Sequence, residues 1–118
     1  MVASHIDLWP TITDACDLPF NPLWQGRSLL GPDTDRRAFF AHRGAMAVRE
    51  GRWKYMWDYD TRREFLYDLT TDPGETNNVA SAHHEYALRQ RRRLRDWTLF
   101  QTELTKERLV ERAESRRN

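Results

Sequence analysis

At 118 residues the chain suits one domain, large enough to bury roughly two thirds of its unfolded surface. Hydrophobic residues are 39% and charged residues 31%, so a packed core is expected despite a mean hydropathy of −0.87, and no run approaches the roughly 18 apolar residues of a membrane span. The single cysteine, Cys16, excludes an intrachain disulfide, and the net charge of +1 conceals a basic end, with ten basic and six acidic residues between His84 and Asn118.

Taken in chain order, the amino terminus has no basic region followed by an apolar run, so as written the product is expected in the cytoplasm. Ser4 with Asp7 three residues on resembles a capping box and predicts a short helix carrying Ile6, Leu8, Ile12 and Ala15, with Pro10 limiting its first turns. Pro19, Pro22, Gly26, Gly31 and Pro32 then punctuate a loop. Strands are predicted over residues 38–42, 45–49, 52–58 and 64–69, with Glu50-Gly51 as a two-residue hairpin turn between the second and third. Along the third strand Trp53, Tyr55 and Trp57 share one face and Lys54, Met56 and Asp58 the other. Asp72-Pro73-Gly74 breaks the chain after the fourth strand. From about Glu85 to Leu109 a helix is predicted, its stripe of Leu94, Trp97, Phe100 and Leu104 covering the sheet, so the aromatic row is read as core rather than as a ligand platform. The expected fold is α+β: an antiparallel sheet of about four strands packed by a C-terminal helix, with an N-terminal helix and loop. Residues 1–110 form the domain and 111–118 a frayed tail.

Three stretches in order resemble the sulfatase family of the alkaline phosphatase-like superfamily. Ser4-His5-Ile6-Asp7-Leu8-Trp9-Pro10-Thr11-Ile12 followed by Gln25-Gly26-Arg27-Ser28-Leu29-Leu30 is similar to one segment, with Gln25 where the family usually has Asp. Ala47-Val48-Arg49-Glu50-Gly51-Arg52-Trp53-Lys54-Tyr55 is similar to a family hairpin. The run from Glu64 through Tyr67, Asp68, Asp72, Pro73, Glu75 and Asn78 to Ala80 resembles a signature near the carboxyl end. The resemblance covers roughly residues 2–80 and implies a carboxyl-terminal subdomain alone. It makes Asp7, Pro10, Thr11, Gly26, Arg49, Gly51, Trp53, Lys54, Tyr67, Asp68, Asp72, Pro73, Glu75 and Asn78 the signature residues.

The same resemblance implies catalysis by a formylglycine made from a Cys or Ser followed by x-Pro-Ser-Arg, beside a divalent cation, usually calcium in a full-length relative. Cys16 is followed by Asp17-Leu18-Pro19-Phe20, so the motif is missing, and no Asp-Asp pair seeds a cation site. No catalytic residue, metal ligand or cofactor is expected in this chain, which is predicted inactive alone. A His42-Arg43 pair before Gly44 is the candidate substrate contact, where the subdomain edges a cleft; the alternative is an exposed pair without a ligand. Asp72 and Glu75 are expected to bind backbone amides at the turn and helix start, with Arg49 and Lys54 paired to carboxylates across the sheet, Arg49 to Glu75. The arginines at 89, 91, 92, 93 and 95 can attract phosphate or a sulfated polymer. The favoured reading is a helix face ion-paired with Glu103, Glu107, Glu111 and Glu114, and no nucleic-acid partner.

Two functions follow. One is the carboxyl-terminal part of a sulfuric ester hydrolase, completing the fold of a missing catalytic domain, a reading favoured by the start at Met1-Val2. The other is a free-standing binding or interaction module derived from that subdomain. Separation from the catalytic domain is expected to expose an apolar patch of Ile6, Trp9, Leu23, Trp24 and Leu29, open to self-association. Substrate is not legible, since the scaffold also serves phosphate and phosphonate esters.

Overall fold

The computed structural model describes residues 1–32 and 36–117, so Asn118, the end of the expected tail, lies outside the described residues. Alternating side chains make four six-residue strands, β1 (Arg37–His42), β2 (Ala45–Glu50), β3 (Trp53–Asp58) and β4 (Arg63–Asp68). They form an antiparallel meander in the order β1-β2-β3-β4. The register carries one apolar row across the sheet, Phe39 beside Val48, Val48 beside Tyr55, and Tyr55 beside Leu66.

Turn chemistry fixes that register. Arg43 and Gly44 both have positive φ, 38° and 81°, as a two-residue type I′ turn demands, and a Cβ on Gly44 would meet Asp60 Oδ2 at 2.6 Å. Between β2 and β3 the turn residues are Gly51 and Arg52, one place later than the expected Glu50-Gly51, because Glu50 pairs with Trp53 inside the ladder. Gly51, at φ 55°, takes the first position of that turn, where a type II′ geometry favours glycine.

Helix α2 (His84–Ser115) lies across one face of the sheet. Ala87, Gln90 and Leu94 point inward at helical spacing and close a core with Val48, Tyr55 and Leu66, the last two fully buried. Trp97 stacks on Phe39 with centroids 5.0 Å apart. Trp53 and Trp57 pack against this cluster, as the sequence predicts for the aromatic row. The inward stripe is offset from the expected one: Phe100 is 52% exposed. Six-residue strands span about 20 Å and a 32-residue helix about 48 Å, so the sheet runs out beneath α2. The overhang explains a radius of gyration of 17.2 Å, against about 13.5 Å for a compact chain of this length. The helix also continues past Leu109 to Ser115, since Glu and Arg are good helix formers in water.

At the amino end a 3₁₀ turn over His5–Asp7 leads into α1 (Leu8–Ala15). The Ser4 amide donates to Asp7 Oδ2 at 2.9 Å. Asp7, Pro10 and Thr13 face inward, whereas Ile6, Leu8 and Ile12, expected to anchor the helix, are 38–56% exposed. The cause is what packs there: the loop brings backbone rather than side chains. Gly26 sits so close that a Cβ would lie 2.0 Å from the Ile6 carbonyl oxygen. The Arg27 amide donates to Asp7 Oδ1 at 2.8 Å and the Leu29 amide to Thr11 Oγ1 at 2.9 Å. Of the expected apolar patch, Ile6, Trp9 and Leu23 are exposed, while Trp24 and Leu29 are half-buried. Among the described residues no helix is long and apolar enough to cross a membrane.

Candidate functional site

The face of the sheet turned away from α2 carries Ala38, Phe40 and His42 from β1, Ala45, Ala47 and Arg49 from β2, and Lys54 and Met56 from β3, by the two-residue alternation of each strand. A groove of about 320 Å³ opens on it, bordered by Phe40, His42, Ala47, Arg49, Lys54 and Glu75. Phe40 is 47% exposed, an unusual state for an aromatic in mid-strand.

The charges in this groove are arranged differently from the expected Arg49–Glu75 pair. Lys54 Nζ donates to both Glu75 carboxylate oxygens, at 2.7 and 2.9 Å. Lys54 stands on β3, one strand nearer β4 and the turn that carries Glu75, so it intercepts that carboxylate before Arg49 on β2 can reach it. Arg49 Nε is buried with no hydrogen-bond partner among the described residues. Glu75 also does not bind backbone amides as expected. Its φ of 54° is left-handed and its carboxylate belongs to Lys54. Burial raises the Tyr67 hydroxyl pKa, with the Glu75 and Asp72 carboxylates adding to it. His42 borders the groove, while Arg43 occupies the exposed hairpin turn and is absent from the groove wall, so the two neighbours do not converge there.

The remaining signature residues hold the scaffold. Asp72 caps its turn, accepting from the Thr76 amide at 2.9 Å, the Asn77 amide at 2.8 Å and the Thr76 hydroxyl at 2.9 Å; these bonds, Thr76 first, lower its pKa. Pro73 follows in that turn. The Asn78 side-chain oxygen accepts from the Leu66 and Ala80 amides, each at 3.0 Å, while its amide donates to the Glu64 carbonyl at 3.0 Å. Asn78 thereby covers the free edge of β4, which would otherwise present unpaired backbone groups. Asp68 takes two hydrogen bonds from Arg52, and they hold its pKa down.

Sequence reasoning missed Glu50. Its carboxylate accepts from Tyr86 at 3.0 Å, Gln90 at 2.5 Å, Arg93 at 2.7 Å and Arg37 at 2.7 Å, joining α2 to the sheet. Burial pushes its pKa up, but the bonds from Gln90 and Tyr86 and the charge of Arg37 outweigh it and leave it lowered. No spacing signal exists for it, because three of its partners lie 36–43 residues away. Gln25, the departure from the family pattern, accepts from Gln101 at 3.0 Å and so links the loop to α2.

Among the described residues no group of three His, Cys, Asp or Glu side chains is placed to hold a metal ion, so these residues offer no carboxylate set for calcium. No protein-family model matches the chain. It is 30% identical to "Arylsulfatase K" of Mus musculus across 78% of this chain and 21% of that protein. It is 35% identical to "N-acetylgalactosamine-6-O-sulfatase" of Bacteroides thetaiotaomicron across 49% of this chain and 15% of that protein. Its fold matches that of a 2-O GAG sulfatase with a TM-score of 0.62 at 24% identity, covering 82% of this chain and 24% of the other. It matches Ps i-CgsB, solved with k-i-k-neocarrahexaose, with a TM-score of 0.65 at 18% identity, covering 80% and 24%. Sequence and fold are those of a sulfatase carboxyl-terminal subdomain. The chain spans about a fifth or less of the length of the curated sulfatases it matches.

Proposed function

We propose that this subdomain completes a sulfatase by docking its open sheet face and amino-terminal surface against the catalytic part, forming one wall of the substrate cleft without supplying the chemistry. The observation that carries the reading is the open face: a half-exposed Phe40 beside a buried Arg49 Nε that lacks a hydrogen-bond partner among the described residues. A buried donor left unmade costs about 1–3 kcal/mol, more for a charged group, so a surface bringing a carboxylate or carbonyl to Arg49 would be stabilised by the contact. In this reading the catalytic part holds the formylglycine and the calcium, and the reaction is hydrolysis of a sulfate ester. In this reading His42, at the groove border, and Arg43, at the adjacent turn, are the residues that donate to a sulfate oxygen or sugar hydroxyl of the substrate in that cleft.

The test begins with the DNA upstream of Met1, translated in all frames for a Cys-x-Pro-Ser-Arg-bearing segment. That segment is then purified with and without this chain, and turnover of an aryl sulfate is measured with added calcium. Turnover that needs both parts supports the proposal; turnover by this chain alone, above a Cys16→Ala control, overturns it. A free-standing interaction module is the second reading, favoured by a core that α2 closes without outside help, with Tyr55 and Leu66 at 0% exposure. It prevails if the upstream sequence is unrelated and this chain is a monodisperse monomer that binds no dye.

A further inference from the structure

On the opposite side of the molecule a second groove, of about 380 Å³, runs between β3 and α2. Trp57, Tyr59 and Leu88 border it together with Arg91, Arg92 and Arg95, and among the described residues no acidic side chain lines it. Positions 88, 91, 92 and 95 fall at i, i+3, i+4 and i+7, so helix geometry alone puts the three cations on one stripe. The Arg91 guanidinium lies 4.0 Å from the Trp57 ring centroid, a cation–π pair.

The charges expected to neutralise these arginines are elsewhere. Glu103, Glu107, Glu111 and Glu114 sit on the overhanging half of α2, where Glu103 pairs with Lys106. Arg93 turns to the sheet and Glu50. Among the described residues Arg95 pairs with Asp96 alone, at 3.6 Å with both side chains about 70% exposed, a contact worth little in water. Glu64, paired with Trp57 across β3 and β4, accepts from the Tyr55 hydroxyl at 3.1 Å and makes no ion pair with these arginines, so the three clustered cations can meet an outside anion, and guanidinium forks match sulfate and phosphate oxygens two at a time.

We infer that the groove between β3 and the first half of α2 is an accessory site for a multiply sulfated oligosaccharide, remote from the open sheet face. Arg91 and Arg95, one helical turn or about 6 Å apart, engage successive sulfates, with Arg92 beside them. The amphipathic Tyr59, 46% exposed, offers an apolar surface to the sugar. Nucleic acid fits less well, because Arg91 already covers the Trp57 face and Tyr59 stands edge-on to it at 86°, leaving no parallel rings for successive bases.

The test titrates the full chain with a heparin-derived hexasaccharide at two salt concentrations, with its desulfated counterpart and an oligo-dT of equal charge in parallel. Expected are binding that weakens with salt, none by the desulfated sugar, and weaker binding of oligo-dT. Arg91→Ala, Arg92→Ala and Arg95→Ala together should weaken hexasaccharide binding at least tenfold, and lysine at all three should recover it only in part. A distal control, Arg112→Ala with Arg116→Ala and Arg117→Ala, should change it less than twofold. No binding, equal loss in both triple variants, or tighter binding of oligo-dT through the same residues would each overturn the inference. Circular dichroism of the variants separates loss of binding from loss of fold.

Discussion

The two faces of one sheet meet different fates here. The face bearing Val48, Tyr55 and Leu66 is sealed by α2, which brings its own polar partners, Tyr86, Gln90 and Arg93, to the Glu50 carboxylate. The face bearing Phe40, Ala47 and Arg49 has an apolar middle, open at Phe40, and a cation whose Nε has no hydrogen-bond partner among the described residues, and α2 does not cover it. The strands are the same; what differs is whether a second layer arrives to satisfy them. A sheet with two apolar faces asks for two layers, and the described chain supplies one.

That contrast breaks most sharply at Leu66. Leu66→Ala removes a fully buried side chain from the sealed face and should cost about 3–4 kcal/mol, read as a lowered urea midpoint with the slope unchanged. If the loss is under 1 kcal/mol, the sealed face is not a packed core.

Glu50→Ala comes next, at about 2–3 kcal/mol, because four donors lose a common charged acceptor. The pH dependence has a definite sign. The folded Glu50 carboxyl lies below its ordinary value of 4.5, so its contribution is present above that pH and is lost as pH falls through the lowered folded value. Urea titrations between pH 7 and pH 3 should show a shallower acid loss for the variant than for the wild type; parallel curves would remove Glu50 from the account.

On the open face the Lys54–Glu75 pair, with side chains 27% and 33% exposed, should give a double-mutant coupling of about 0.5–1 kcal/mol that shrinks in salt. An Arg49–Glu75 cycle should give coupling near zero. A larger value for the second cycle than the first would reverse the assignment of Glu75.

The smallest stability effects are expected from Phe40→Ser, about 1 kcal/mol for a half-exposed side chain, and Leu23→Ser, within about 0.5 kcal/mol for one already largely in water. Their effect should appear instead as reduced hydrophobic-dye binding and self-association. Hydrogen exchange should likewise be faster across the first ~32 residues than in β2, β3 and the first half of α2. Uniform protection from Ser4 onward would show that the open surfaces are closed in solution.

Strand positions, the order of elements and the facing of Trp53, Tyr55 and Trp57 were determined by the sequence itself, because two-residue alternation and turn glycines are local properties. So was the capping role of Asp72, whose acceptors are spent four and five residues away. The partners of Glu50, Glu75 and Arg49 were decided only by tertiary structure, because they depend on which strand lies nearest a turn and where α2 crosses the sheet. The outward face of Ile6, Leu8 and Ile12 belongs to the same class: helical periodicity says that these residues lie together, but the Gly26 backbone packed against the Ile6 carbonyl determines which side of the helix is buried.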